Sequence, residues 1–145
     1  MQEEIKETEG DPAIKRRVRQ MQRQIAYQRM LREVPKADVI ITNPTRLAVA
    51  LRYDMSTMSA PVVVAKGARL VAEKIREIAI QNQVPIVQKP ELAQILYKTV
   101  NVGEPIPENL FRAVAEVLAF VYQIDRRVEK IRERQQIMQS VLEKG

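Results

Sequence analysis

Residues 39–53 read VIITNPTRLAVALRY and place two apolar runs on either side of a turn signal. Val39 to Thr42 and Leu47 to Tyr53 are rich in β-branched and aliphatic side chains, which favour strands. The pair Asn43-Pro44 between them favours a turn. The stretch therefore predicts two strands of one sheet that are joined by a tight loop.

Two further apolar runs, residues 61–64 and 84–87, predict a third and a fourth strand. Between them, after Gly67, apolar residues follow a helical period at Ala68, Val71, Ala72, Ile75, Ile78 and Ala79. A strand, a crossover helix and a strand predict a right-handed βαβ unit. Because Val62-Val63-Val64 does not alternate with polar residues, we expect strands that helices cover on both faces.

Two helices are predicted after the strands. Pro90-Glu91 opens a short helix that ends near Val100 and presents Leu92, Ile95 and Leu96. A long helix starts at Pro107-Glu108, and its apolar residues recur at spacings of four and three: Leu110, Val114, Val117, Val121, Ile124, Val128 and Ile131. After Gln135 the pattern resumes with Met138 and Leu142. We expect its first half to pack on the sheet. The charged part after Asp125 predicts an exposed helix, a helix that pairs with a partner, or a helix that folds back through Met138 and Leu142.

A helix is also predicted before the strands, from Pro12 to Glu33, with Asp11 as its cap and Pro35 as its end. Its apolar stripe is interrupted, so we expect a connector rather than a core helix. Residues 3–11 are acidic, whereas residues 12–32 carry seven Lys or Arg and no acid. Such a basic helix can face nucleic acid or an anionic membrane, or it is simply a solvated helix face.

Composition excludes several classes of protein. The 145 residues, 46% of them hydrophobic, suit one compact domain with extensions. The sequence has no apolar run of the roughly 20 residues that a membrane span needs and no basic, apolar leader, so we expect a soluble, unprocessed chain. It has no Cys and no His. We therefore expect no metal, no cofactor and no disulfide, and the usual near-neutral general base is missing.

The dipeptide Asn43-Pro44 can undergo an unusual reaction. An asparagine commonly deamidates when the next backbone nitrogen attacks its side-chain carbonyl, but proline has no N–H for that attack. The remaining cyclisation is attack of the Asn43 side-chain nitrogen on its own backbone carbonyl, which expels Pro44 and cuts the chain. This reaction needs a turn that fixes the geometry and polarises the carbonyl.

Several segments together resemble the FlhB family of flagellar export proteins. They occur in consistent order between about Glu3 and Tyr122, and only the charged end after Asp125 falls outside the resemblance. The segments are Glu7 to Pro12, Val34 to Ile40, Thr42 to Thr45, Ala48 to Leu51, Met58 to Pro61, and Val63-Ala65-Lys66-Gly67.

The resemblance implies the cytoplasmic domain of a membrane protein, at the cytoplasmic face of the bacterial inner membrane. Residues 1–34 would be the linker helix from the transmembrane part, residues 35–125 the self-cleaving α/β domain, and residues 126–145 a charged helical tail. The implied fold class is α/β: a four-stranded mixed sheet surrounded by helices, with a long N-terminal helix and an extended C-terminal helix.

The resemblance also implies a site and partners. The family cleaves itself within an Asn-Pro-Thr-His motif, which corresponds to Asn43, Pro44, Thr45 and Arg46, and this single-turnover cleavage is not enzymatic turnover. Family members bind rod, hook and filament proteins and other export-gate components, and they switch export specificity. The implied substrate-docking patch consists of Ala60, Pro61, Ala115 and Leu118, although Ala115 and Leu118 suit helix packing equally well.

Arg46 stands where the family motif has His. A guanidinium stays charged and offers no lone pair, so it cannot act as a base near neutral pH. It can stabilise a developing oxyanion or hold the loop by hydrogen bonds. We therefore expect cleavage that is slower than in the family, or absent.

Three alternatives remain at this point. The chain could be a homologue from a virulence type III secretion system with the same switch role. The basic helix could bind nucleic acid, although base-stacking aromatic residues are few. Catalysis on an external substrate lacks a Ser/Cys-His pair, a phosphate loop and a metal-ligand cluster.

Overall fold

The structure is a computed structural model that describes residues 10–44 and 46–144, with the side chains of residues 125–128 outside the description. The acidic residues 3–9 and Thr45 also lie outside it. The strands are β1 (Val39–Asn43), β2 (Leu47–Arg52), β3 (Val62–Ala68) and β4 (Ile86–Gln88). The helices are α1 (Pro12–Glu33), α2 (Leu70–Gln81), α3 (Pro90–Thr99) and α4 (Phe111–Lys144), with 3-10 turns at Val34–Lys36 and Glu108–Leu110.

The four strands form one mixed sheet in the order β3-β2-β1-β4. β1 and β2 pair antiparallel from Val39 opposite Leu51 to Asn43 opposite Leu47. β2 also pairs antiparallel with β3, whereas β4 runs parallel to β1. Residues 39–52 are therefore a central hairpin, and the predicted mixed sheet is confirmed. β3 and β4 are parallel to each other at opposite edges, with α2 between them in the chain.

Each strand of the hairpin is buried on both faces. Val39 and Ile41 point to the face that α3 and α4 cover, while Ile40 points to the face that α2 covers. All three side chains are fully buried. Removing so much aliphatic surface from water is the main favourable term in the fold, at about 25 cal/mol per Å². The run of apolar residues without alternation thus predicted the two-sided burial correctly.

Helix α1 is capped as the sequence predicts. The side chain of Asp11 accepts a hydrogen bond of 2.9 Å from the backbone N–H of Ala13, and Pro12 occupies the first turn. No residue of α1 is fully buried, and only its last turn packs on the α2 face, through Met30 and Leu31. Val34, just after the helix, is completely buried and fixes the entry to the sheet.

Three details of the predicted elements are wrong. Ala68 ends strand β3 instead of starting a helix, because its backbone still pairs with Leu47. Val84 and Pro85 precede β4, which begins only at Ile86. Ile95 is 43% exposed rather than in the core, because Leu92 and Leu96 already occupy the buried side of α3.

Helix α4 changes its surroundings along its length. Val114, Val117 and Val121 are buried in the α3/α4 face, as predicted for the first half. Further along, Met138 is 67% and Leu142 78% exposed, so these residues do not fold back on the domain. The helix continues without interruption through residue 126, where the charged tail was expected to begin.

Candidate functional site

The residues with cleavage potential form the turn of the central hairpin. Asn43 ends β1, Leu47 starts β2, and the backbone N–H of Arg46 donates a hydrogen bond of 3.0 Å to the carbonyl oxygen of Asn43. Such a bond between the first and fourth residues closes a β-turn, in which Pro44 takes the second position that its fixed φ suits. The turn therefore exists because proline and the strand register require the same geometry.

The same hydrogen bond has a chemical consequence. The carbonyl of Asn43 is the group that its side-chain nitrogen would attack, and the Arg46 N–H polarises this carbonyl. When attack puts negative charge on that oxygen, a donor already in place needs no reorganisation. This contact comes from the Arg46 backbone, while the residue itself is exposed. The polarisation does not depend on which side chain follows Thr45.

Both ends of the turn are tied to other parts of the sheet. The backbone N–H of Lys89 donates to the carbonyl of Thr42, and that of Arg69 donates to the carbonyl of Arg46, each at 3.0 Å. Thr42 is 2% exposed, so the strand that enters the turn is buried. These contacts hold the peptide groups on either side of the candidate bond.

The turn lies at the carboxyl edge of the three strands that run parallel to one another. β3 and β4 end at this edge, and α2 and α3 begin there, with Arg69 and Lys89 as their capping residues. The first turns of helices expose unpaired N–H groups and carry partial positive charge. The field at this edge therefore favours negative charge on a nearby carbonyl oxygen.

Exposure at the turn suits a reaction that involves water. Asn43 is half-buried, whereas Pro44 and Arg46 are exposed. Solvent can therefore reach residues on both sides of the bond that would break. Thr45, predicted as part of the site, lies outside the described residues.

The predicted docking residues are placed differently from one another. Ala60 is 6% and Leu118 5% exposed, and both belong to the core of the α3/α4 face. Pro61 is half-buried and Ala115 is exposed. Of the four predicted docking residues, Pro61 and Ala115 are therefore the ones accessible to a partner.

A separate apolar groove lies on the other flank of α4. It has a volume of about 760 Å³ and runs between the start of α3 and the first half of α4. Val87, Pro90, Ala113, Val117 and Phe120 line it together with polar neighbours. None of the four predicted docking residues is among its lining residues.

Sequence reasoning missed two residues at the turn, Arg69 and Lys89. Both act through backbone N–H groups, which carry no residue-specific signal. Arg69 has φ +53° and ψ −117°, a conformation that glycine adopts easily and other residues rarely do. The one signal for the position of Arg69 is that a strand ends immediately before a helix begins, at residues 68–70.

Neither a cluster that could hold a metal ion nor a membrane-spanning helix is found in the part of the chain that the structure describes. Across residues 10–44 and 46–144, no group of three or more Asp, Glu, His or Cys could hold a metal ion. Among the helices of those residues, none combines the length and the apolar character that crossing a membrane requires.

Comparison with known proteins identifies relatives. Residues 1–121 match the model of the FlhB HrpN YscU SpaS family. The flagellar biosynthetic protein FlhB of Salmonella typhimurium is 55% identical over 126 residues, which cover 87% of this chain and 33% of that protein. The chain thus spans about a third of the length of the curated relatives it matches.

Solved structures agree with these matches. The cytoplasmic domain of FlhB from Shewanella putrefaciens is 46% identical, with a TM-score of 0.69 over 72% of this chain and 80% of that one. An EscU C-terminal domain with a mutated asparagine is 28% identical, with a TM-score of 0.62 over 63% of this chain and 92% of that one.

Proposed function

The chain belongs to the FlhB HrpN YscU SpaS family, and from this membership we propose that it is the cytoplasmic domain of a flagellar protein-export component that cuts itself between Asn43 and Pro44. Among the solved structures, identity to the flagellar FlhB domain, at 46%, exceeds that to the EscU domain, at 28%, which favours the flagellar role over a virulence system. The observation that carries the self-cleavage proposal is the Arg46 N–H directed at the Asn43 carbonyl.

The proposed cleavage has two steps. The side-chain nitrogen of Asn43 forms a bond to the backbone carbonyl carbon of Asn43, and the bond from that carbon to the Pro44 nitrogen breaks. One proton leaves the asparagine nitrogen, and the departing proline nitrogen gains one. Water then opens the cyclic imide and leaves a new carboxyl end at residue 43.

Arg46 limits the rate in this proposal. Its backbone N–H supplies the oxyanion contact, but its guanidinium cannot take the proton that the asparagine nitrogen releases. Water or hydroxide must do so, so the rate is expected to rise with pH. A histidine at this position offers a base with a pKa near 6.5.

Intact mass and a denaturing gel test the cleavage. Protein incubated at pH 7 and at pH 9 should yield pieces of residues 1–43 and 44–145, faster at the higher pH. Arg46→His should accelerate cleavage at pH 7 by about 100-fold or more, as expected of a positioned base. Asn43→Ala should remain whole. An intact chain in the parent and in Arg46→His alike would refute self-cleavage.

We further propose that the domain binds rod, hook and filament proteins for export, and that this binding takes part in the specificity switch. Pro61 and Ala115 support this role because both are apolar residues that remain partly or fully accessible to solvent. Exposed apolar surface on a folded domain often marks an interaction site.

Binding of a purified hook protein tests the docking proposal. Ala115→Asp should weaken binding at least about tenfold, because a charge would then face an apolar partner. Gln81→Asp, at the exposed end of α2 on the opposite face of the sheet, is the matched control and should bind as the parent does. Equal binding by both variants would remove the Ala115 surface from the proposal.

Helix α1 supports a location at the inner membrane. Its exposed surface carries the basic residues between Lys15 and Arg32, and Ile14, Val18, Met21 and Ile25 are 41–57% exposed beside them. A basic helix with exposed apolar side chains can lie at an anionic lipid surface.

The domain should sediment with vesicles that contain phosphatidylglycerol at low salt and be released at high salt. Equal binding to neutral phosphatidylcholine vesicles would contradict this role.

A further inference from the structure

We propose that Arg69 is a positioning residue for cleavage at Asn43-Pro44. Its backbone N–H holds the carbonyl of Arg46, in the peptide group that follows that residue. This contact restricts the backbone rotation at Arg46 that would turn its N–H, in the preceding peptide group, away from the Asn43 carbonyl. This inference rests on the proposed function, since it concerns the rate of the proposed self-cleavage. It assigns a role to the junction between β3 and α2, which lies 26 residues after the candidate bond in the chain.

Two backbone hydrogen bonds share the residue Arg46. Arg46 donates its N–H to the Asn43 carbonyl, and its carbonyl accepts the N–H of Arg69, each at 3.0 Å. A turn residue with only the first bond could rotate, and its N–H would then no longer point at the Asn43 carbonyl oxygen. With the second bond present, both the N–H and the C=O of Arg46 have fixed directions.

The backbone of Arg69 has a conformation that is unfavourable for a residue with a side chain. At φ +53° and ψ −117°, an arginine is held in a region that costs of order 1–3 kcal/mol for a residue with a side chain. Such strain persists only where the surroundings determine the backbone, and it clusters at functional sites. At this junction the strained backbone directs the Arg69 N–H back to the hairpin while the chain leaves to form α2.

Close packing keeps the junction between β3 and α2 rigid. Gly67 lies against Val71 in the first turn of α2, so closely that a side chain at position 67 has no room. The carbonyl of Arg69 also accepts the N–H of Glu73 at 3.0 Å, which ties the residue to the helix. The direction of the Arg69 N–H is therefore determined by β3 and α2 together.

The chain contains a matched control for strain. Gln83 also has a positive φ, +59°, but it lies in the connection between α2 and β4. Its backbone N–H donates to the carbonyl of Ile80. A β-branched residue should be strained at position 69 and at position 83, whereas only the first change disturbs the hairpin turn.

The experiment measures cleavage rates at pH 8 in the full chain with Arg46 and in the Arg46→His chain. Arg69→Val should slow cleavage at least about tenfold, because a small misplacement of a catalytic contact is costly. Gln83→Val should cleave at the parent rate. Arg69→Gly keeps the N–H and accepts the positive φ, so it should also cleave within about threefold of the parent. Circular dichroism must show every variant folded at the assay temperature.

A second measurement does not depend on cleavage. In the Asn43→Ala chain, hydrogen exchange of the Arg46 N–H should be faster with Arg69→Val and unchanged with Gln83→Val. If neither the parent nor Arg46→His cleaves, the proposed function fails and this role of Arg69 with it. If both cleave while Arg69→Val and Gln83→Val behave alike in rate and exchange, self-cleavage stands and the role of Arg69 is wrong.

Discussion

Gly67 lies where β3 leads into α2, directly against Val71. A Cβ atom added at position 67 would be 2.7 Å from the Val71 Cβ and 3.2 Å from its backbone carbonyl carbon. Neither atom can move without shifting the helix. We expect Gly67→Ala to lower the free energy of unfolding by about 3 kcal/mol, at the upper end of overpacking effects.

Denaturant unfolding followed by circular dichroism measures this change. Gly10→Ala is the control, because a Cβ there meets no atom within 4 Å. It should change stability by less than about 0.5 kcal/mol. A Gly67→Ala chain as stable as the parent would show that β3 and α2 can separate without cost.

Asp54 offers a pH-dependent test at the scale of one side chain. The Ser56 hydroxyl donates to its carboxylate at 2.6 Å and the Ser56 backbone N–H at 2.9 Å, and together they hold the pKa of Asp54 below its ordinary value of 3.8. Because the folded pKa is the lower one, the stabilisation is fully present above pH 3.8 and is lost as the pH falls through the folded pKa.

Removing the Ser56 hydroxyl should reverse part of this lowering of the Asp54 pKa. In Ser56→Ala the pKa of Asp54 should rise towards 3.8, because the largest cause of its lowering is gone while the backbone N–H remains. A carbon-13 titration of the Asp54 carboxyl measures it directly. Ser59→Ala, three residues away, should leave the titration unchanged, and identical curves for both variants would contradict the assignment.

At the scale of elements, helix α4 contains two environments along one continuous stripe. Val114 is fully buried against the sheet, whereas Ile131 is 54% exposed. We expect Val114→Ala to cost about 2 kcal/mol of unfolding free energy through lost burial and a residual cavity. Ile131→Ala removes more atoms but should cost less than about 0.5 kcal/mol, because water already reaches that side chain.

Thermal and denaturant unfolding of the two variants provide the comparison. Ile131→Ala removes more carbon atoms than Val114→Ala but should lose less unfolding free energy. The comparison therefore tests burial rather than side-chain size. A loss in Ile131→Ala as large as in Val114→Ala would mean that the tail is covered in solution, either by the domain or by another chain.

At the scale of the whole molecule, cleavage at residue 43 would divide the sheet without dividing the core. The first piece contains α1 and β1, and β1 lies between β2 and β4 with five residue pairs on one side and three on the other. Val39, Ile40 and Ile41 would all become exposed if the pieces separated. The burial of these side chains opposes separation.

We therefore expect cleaved protein to remain one folded particle. Size-exclusion chromatography in native buffer should give a single peak that contains both pieces, and the same sample in 6 M guanidinium should give two. Asn43→Ala supplies the uncut reference, with the same native elution volume. Separation of the pieces in native buffer would contradict the central placement of β1.

Local sequence predicted much of this protein for identifiable physical reasons. β-branched runs predicted the strands, Asp11-Pro12 predicted the start of α1, and the four-and-three spacing predicted the buried half of α4. These signals are local because backbone propensity, capping and periodicity act within a few residues. Errors arose where strand pairing or competition for burial decided the outcome, as at Ala68 and Ile95.

Residue type alone established the chemistry available at Asn43-Pro44, because proline removes the N–H that ordinary deamidation requires. The family likewise follows from residue type, through segments that stand in consistent order. Which groups surround that peptide bond depended on the fold. The donors from Arg46, Arg69 and Lys89 are backbone N–H groups, which every residue except proline possesses, so their roles follow from three-dimensional placement and not from residue type.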